Sequence, residues 1–283
     1  MNGSLPDDIS LGPVRLRVAD RARATAWLER ILGLHPLEPS EGRSRHGTER
    51  GVPLVELREV AGLRPVPRRG LLGLYHYALL LPSRADLARF VVHLDERGER
   101  FGSSDHLFSE ALYLTDPDGL TVEVYADRPR ETWVYKDGEV VGTLDPLDLE
   151  SLVRAAGETR WQGVPAGTRL GHMHFYVGDL AAAERFYVHG LGFRVSTRVY
   201  PGALFAAAGG YHHHVGLNVW AAHQPVAGPA DAGLDSWALV IPSEPEHAAI
   251  AGRMAAHGAP LERAGTASLA RDPWGIAVRI TAD

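Results

Sequence analysis

The sequence predicts an α+β fold made of four β-α-β-β-β modules in two tandem domains. Three observations carry that expectation. The chain repeats its own pattern, period-two strand alternation gives way to helical periodicity at matching places in each repeat, and two DPxG tetrads precede matching final strands. A chain of 283 residues that is 45% hydrophobic can bury the cores of two such domains.

Module 1 opens with "PVRLRVADRARATAWLERILGL" from Pro13: an alternating strand, Asp20 opening an amphipathic helix, and Gly33 at its end. Module 3, "HMHFYVGDLAAAERFYVHGLGF" from His172, follows the same plan, with Asp179 and Gly192 in the corresponding places. Module 2 starts at "LYHYALLLP" from Leu74 and module 4 at "LDSWALVIP" from Leu234. Each continues into a helix and a glycine and finishes in "DPDGLTVEV" at Asp116 or "DPWGIAVRI" at Asp272. The DPxG tetrads predict tight turns, because proline presets φ and glycine supplies conformational freedom. The expected boundaries are 8–127 for the first domain, 128–167 for a polar connector with a short helix over 147–155, and 168–283 for the second domain.

Composition narrows the function classes. Net charge is -6, and neither sign gathers into a long run, which argues against a nucleic-acid partner. The absence of cysteine excludes disulfides and thiolate metal sites and leaves His, Asp and Glu as ligands. No basic-then-apolar leader and no span of about 18 apolar residues is present, so the expectation is a cytoplasmic protein with small-molecule partners and no membrane contact. The sequence does not set the oligomeric state, and a homo-oligomer is compatible with it.

Paired modules with these strand and turn motifs resemble the vicinal oxygen chelate superfamily, which includes glyoxalase I, bleomycin-resistance proteins and type I extradiol dioxygenases. The resemblance spans nearly the whole chain. Within it, "SSDHLFSEALYLTDPDGLTVEVYADRPRETW", "LDPLDLESL" and "GGYHHHVGLNVW" together look like the Bacillus-type catechol 2,3-dioxygenases. The resemblance implies metal-ligand positions on the first strand of each module and on the last strand of the even ones. Modules 2 and 3 fill them with His76, Glu123 and His172, whereas modules 1 and 4 place Pro13, Ser236 and Arg279 there. Pairing 1 with 2, or 3 with 4, leaves every cup short of ligands; pairing 2 with 3 completes a two-histidine, one-carboxylate set. The expectation is therefore two tandem vicinal oxygen chelate domains whose metal cup is formed by modules 2 and 3, as in monomeric glyoxalase I.

Such a facial triad suits Fe(II) that binds a vicinal aromatic diol through two oxygens and O2 through a third position, and Mn(II) or Zn(II) also fits the donor set. Matching "HHVGLNV" to the resembling enzymes places an acid/base histidine at His214, with His212 on the same strand face and His213 turned away. Tyr113, ten residues before Glu123, matches their substrate-binding tyrosine, and His106 their additional substrate-side histidine. A histidine such as His76 on an apolar strand is more often a satisfied core or surface group; its repeat position singles it out. His93, His189, His223, His247 and His257 hold no repeat position and are expected at the surface. The leading expectation is an extradiol ring-cleaving dioxygenase. The alternatives are a metal-free protein that binds aromatic compounds for resistance and a metal-dependent isomerase of the glyoxalase type.

Overall fold

The computed structural model describes residues 4–282. A two-residue strand β1 (Ser10–Leu11) precedes module 1, which comprises β2 (Val14–Val18), α1 (Arg21–Trp27), β3 (His35–Ser40), β4 (Arg43–Gly47) and β5 (Pro53–Glu59). Module 2 comprises β6 (Gly73–Leu80), α2 (Arg84–Glu96), β7 (Gly102–Asp105), β8 (Ser109–Thr115) and β9 (Thr121–Asp127). The connector holds a hairpin of β10 (Tyr135–Lys136) and β11 (Glu139–Val140), then α3 (Leu149–Arg154). Module 3 comprises β12 (Arg169–Tyr176), α4 (Leu180–Glu184), β13 (Arg194–Thr197), β14 (Ala203–Ala207) and β15 (Val215–Asn218). Module 4 comprises β16 (Gly233–Ile241), α5 (Glu244–Ala256), β17 (Glu262–Ala264), β18 (Ala267–Arg271) and β19 (Ala277–Ala282).

The repeated residues perform repeated work. Asp20 and Asp179 cap their helices by accepting from the backbone N–H groups of Arg23 and Ala182, which satisfies donors that the first helical turn cannot pair. Both helices run on into a π-helical turn, Leu28–Leu32 and Arg185–Leu191, and stop at Gly33 (φ 73°) and Gly192 (φ 100°), a left-handed conformation that favours glycine. In the tetrads, Asp116 Oδ1 accepts from the N–H groups of Asp118 and Leu120, and Asp272 Oδ1 from those of Trp274 and Ile276. These buried carboxylates thus lock each turn ahead of the last strand.

The modules pair across the chain. β6 lies antiparallel to β12, joining modules 2 and 3, and β2 lies antiparallel to β16, joining modules 1 and 4. Within each module the first strand runs parallel to the last: β2 with β5, β6 with β9, β12 with β15 and β16 with β19. β1 ties the two halves together by pairing Leu11 with both Leu170 and Leu239. Helices cover the outer face. On α2, Leu87, Phe90, Val91 and Leu94 repeat at helical spacing and are buried, so this stripe packs on the sheet. Burying each side chain of that size contributes roughly 1.5–3 kcal/mol. Tyr187, Phe175 and Trp237 belong to the same core.

The 128–167 connector packs against module 2: Asp137 (φ 52°) and Gly138 (φ 84°) make the β10–β11 turn, and Trp133 and Val140 bury against Phe108. One expectation needs correction. His93 is buried, because its Nε2 reaches the carbonyl of Ile31 across the helix layer at 3.0 Å.

Candidate metal centre

Strand register assembles the site. Ala78 on β6 lies opposite His172 on β12 and opposite Glu123 on β9, and Glu123 lies opposite Tyr113 on β8. The row His172–Ala78–Glu123–Tyr113 thus crosses four strands, and side chains in register share one face of a sheet. Ala78 takes little space between the two larger groups. His76, two residues before it on the same strand, completes the cluster.

Nε2 of His76 lies 3.2 Å from Nε2 of His172 and 3.1 Å from Glu123 Oε2, which lies 3.3 Å from His172 Nε2. Adjacent ligands about 2.1 Å from one cation stand roughly 3.0 Å apart when its bonds are at right angles, so this triangle fits three neighbouring positions around a divalent ion. All three residues are buried. Burial raises the Glu123 pKa, yet the neighbouring His172 and His76 outweigh it and hold the carboxyl well below its ordinary value. Burial brings His172 down to about 4 despite the attraction of Glu123. An anionic carboxylate beside a neutral His172 is the protonation state that a divalent cation requires. Nδ1 of His76 and of His172 has no hydrogen-bond partner among the described residues.

The triad forms one wall of a cavity lined also by Tyr75, His106, Phe108, Tyr113, Leu144, His174, Tyr200, Phe205, His213 and Trp220. His106 Nδ1 lies 2.8 Å from the Thr143 carbonyl, so it carries the proton, and Nε2 is left to accept from the Tyr113 hydroxyl at 2.8 Å. Burial first, and then the Glu123 charge, push Tyr113 well above the ordinary phenol value, which keeps it a hydroxyl.

The histidine run falls differently from the expected alternation. His213 lines the cavity with its ring centroid 4.1 Å from that of His172. His214 does not line it: its Nδ1 accepts from the Ala208 N–H at 3.2 Å, and its ring lies near Tyr211. The cause is local. β15 begins only at Val215, and the preceding residues form a bend after Gly209 (φ 59°) and Gly210 (φ 62°), where the period of two does not hold. Behind His213, its Nδ1 lies 2.8 Å from His212 Nδ1, and His212 Nε2 lies 2.9 Å from Asp127 Oδ1. Asp127 can only accept, so His212 carries its proton on Nε2 and accepts at Nδ1 from His213. The lone pair of His213 is then on Nε2.

His174 is a residue that sequence reasoning missed, although "HMH" places it two residues after His172 on the same face. Its Nε2 lies 2.9 Å from Asn218 Nδ2, and its ring is 4.8 Å from that of His76. Gly216 lies opposite it, and a Cβ there would come within 2.8 Å of the His174 ring. Burial holds His174 well below the ordinary imidazole value.

Residues 10–124 and 169–280 match the family model of the Glyoxalase/Bleomycin resistance protein/Dioxygenase superfamily. The chain is 37% identical over 274 residues to the catechol-2,3-dioxygenase of Bacillus subtilis (strain 168), covering 95% of this chain and 96% of that one. Two crystal structures share the fold. One, a Bacillus subtilis subsp. subtilis str. 168 chain that carries a dioxygenase name, superposes with a TM-score of 0.68 at 13% identity over 99% of this chain and 86% of that chain. The other, glyoxalase I from Zea mays, gives 0.58 at 16% identity over 97% and 92%.

Proposed function

Because the chain belongs to the glyoxalase/bleomycin resistance protein/dioxygenase superfamily, we propose that its cup holds Fe(II) on His76, Glu123 and His172 and that the protein cleaves a catechol-type diol with O2. The observation that carries this reading is the convergence of three donor atoms within 3.1–3.3 Å on the wall of a mostly aromatic cavity. The name of the 37% identical relative supports it. So does the donor set: two histidines and one carboxylate leave positions for both substrates, and Glu123 is the only carboxylate lining the cavity among the described residues. Isomerase chemistry of the glyoxalase type uses a second carboxylate from the odd module.

When bound, iron supplies the redox chemistry through which a chelated catecholate and O2 react, breaking the ring C–C bond next to the diol with insertion of both oxygen atoms. The protein's side chains bind the substrate and move its protons. His213, neutral because burial and then His172 hold its pKa well below the ordinary value, accepts a catechol hydroxyl proton at Nε2. The charge it gains spreads through its Nδ1–H to His212 and the Asp127 carboxylate, which also holds the ring in its productive tautomer. Tyr113 and His106 face the diol from the other side as a hydrogen-bonded pair. Phe205, Tyr75 and Trp220 flank the ring and keep water from it.

The deciding experiment is anaerobic loading with Fe(II), followed by addition of air-saturated buffer and a panel of catechols. Oxygen uptake with a coloured ring-opened product is the expected result. Tight iron binding without uptake for any catechol would overturn the dioxygenase reading and favour a binding role.

A further inference from the structure

Modules 1 and 4 form a second cup that no activity accounts for. Its framework repeats the metal cup: Arg279 lies opposite Ala238 on β16 as Glu123 lies opposite Ala78 on β6. Its chemistry is inverted. The position of the carboxylate is a guanidinium, and among the described residues the Arg279 side chain makes no hydrogen bond or ion pair. Burial, and then the neighbouring Arg15, hold its pKa below the ordinary value.

Around it the charges do not balance. Asp235 takes Arg17, Arg43 and Arg58, with N···O distances from 2.6 to 3.0 Å. Glu56 takes Arg15 at 2.7 Å and lies 3.3 Å from Arg45, and Arg15 also reaches the exposed Glu41 at 3.0 Å. Three carboxylates thus serve five arginines before Arg279 is added. The Asp235 and Arg43 side chains are each only 12% exposed, and Arg43 Nη1 and Arg17 Nε are buried donors without a partner. Buried donors normally find acceptors, and a guanidinium presents its donors in a fork that fits the oxygens of a carboxylate or phosphate.

We propose that the cup of modules 1 and 4 is a binding site for a small oxyanion with two or more negative charges, taken by Arg279 and the free donors of Arg43 and Arg17. The ligand is recognised by its charge and its oxygens, whether it is free or forms one end of a larger metabolite. The inference stands independently of the dioxygenase reading.

Calorimetric titration of the full-length protein with inorganic phosphate, and separately with malonate, tests it, each against sodium chloride at equal ionic strength. Saturable binding of one anion per chain is expected, and a preference between the two separates a tetrahedral ligand from a planar one. Arg279→Gln should weaken that binding at least tenfold, and Arg43→Met by a similar factor. Hydrogen exchange of the wild-type protein, which needs no variant to fold, should slow in β4, β16 and β19 when the anion is added. No saturable binding of either anion above chloride would overturn the proposal, as would affinity unchanged in both variants or protection confined to other strands.

Discussion

The two cups share strand order, turn chemistry and register, yet one sets a single carboxylate among neutral imidazoles and the other packs six arginines around three acids. What they have in common lies beneath the cup surface: Ala78 and Ala238 at the crossing of strands, the buried aspartates of the DPxG turns, and the helix–sheet core. The contrast teaches that this framework is stabilised from its convex, helix-covered side. The concave face is then free to carry either sign of charge.

The largest effect should come from striking the cup of modules 2 and 3 at its charge. Glu123→Gln keeps the side-chain shape but removes the anion, and iron affinity should fall by roughly 10²-fold or more, since even outer partners of metal ligands are worth 10–100-fold. Metal content after gel filtration reads this out, with the melting temperature as a check on the fold. Full iron retention would remove Glu123 from the ligand set. Next, His213→Asn should retain iron and lose roughly 10²–10⁴-fold in turnover, the usual contribution of a positioned acid/base, whereas His214→Asn should lose far less. Single-turnover ring cleavage by the two variants measures the difference, and equal losses would contradict the assignment to His213.

In the arginine cup a lost carboxylate should lower stability without touching the other cup. Three arginines bring the Asp235 pKa down to about 2 against the opposing effect of burial, so the carboxylate stabilises the fold above its ordinary value and loses that contribution as pH falls toward 2. Asp235→Asn should cost about 2 kcal/mol in urea denaturation at neutral pH, with iron binding unchanged. A shift in metal affinity would mean that the cups are coupled.

The smallest effect is a difference in acid response. Burial brings His172 to about 4 and His214 to about 3, and it also lowers His174 and His213. The unfolded chain takes up these protons first, so the stability held above about pH 6.5 declines as pH falls from there toward 4, by up to ~1.4 kcal/mol per pH unit for each histidine. The other half has one such residue, His46. Asp116 and Asp272, raised by burial to about 7 and about 6, act in the opposite direction but occupy equivalent turns, one in each half. In the metal-free protein, amide protection relative to the intrinsic exchange rate at each pH should therefore fall between pH 7 and pH 5 more in β6 and β12 than in β2 and β16. An equal fall would dissolve the distinction.

The sequence made the framework legible because its signals are local and repeated. Asp20 and Asp179 cap, Gly33 and Gly192 terminate, and the DPxG aspartates lock turns, each through atoms a few residues away. The convergence of His76, Glu123 and His172 was legible because a repeat position marks each one. The strand face expected for His214 does not hold because the residues before Val215 form a bend, while "HMH" does carry a local signal for His174. Asp127, Thr143 and Leu144 carried no local signal: Asp127 comes behind His212 only when modules 2 and 3 pair, and Thr143 and Leu144 reach His106 and the cavity wall only when the connector folds over module 2.

Cross-pairing also sets a timetable for the growing chain. β2 and β6 leave the ribosome early, each with one edge whose partner has not yet been made. β6 waits for β12, but β2 waits for β16, the first strand of the last module, roughly twice as long at a steady rate of synthesis. An unpaired edge is a template for wrong association, and inward-facing charge is a standard protection against it. The strand with the longer wait is "VRLRV", which carries Arg15 and Arg17, whereas "GLYHYALL", with the shorter wait, carries no full charge. Arg15 and Arg17 thus place charge on the edge that stays open longest, and modules 2 and 3 pair first.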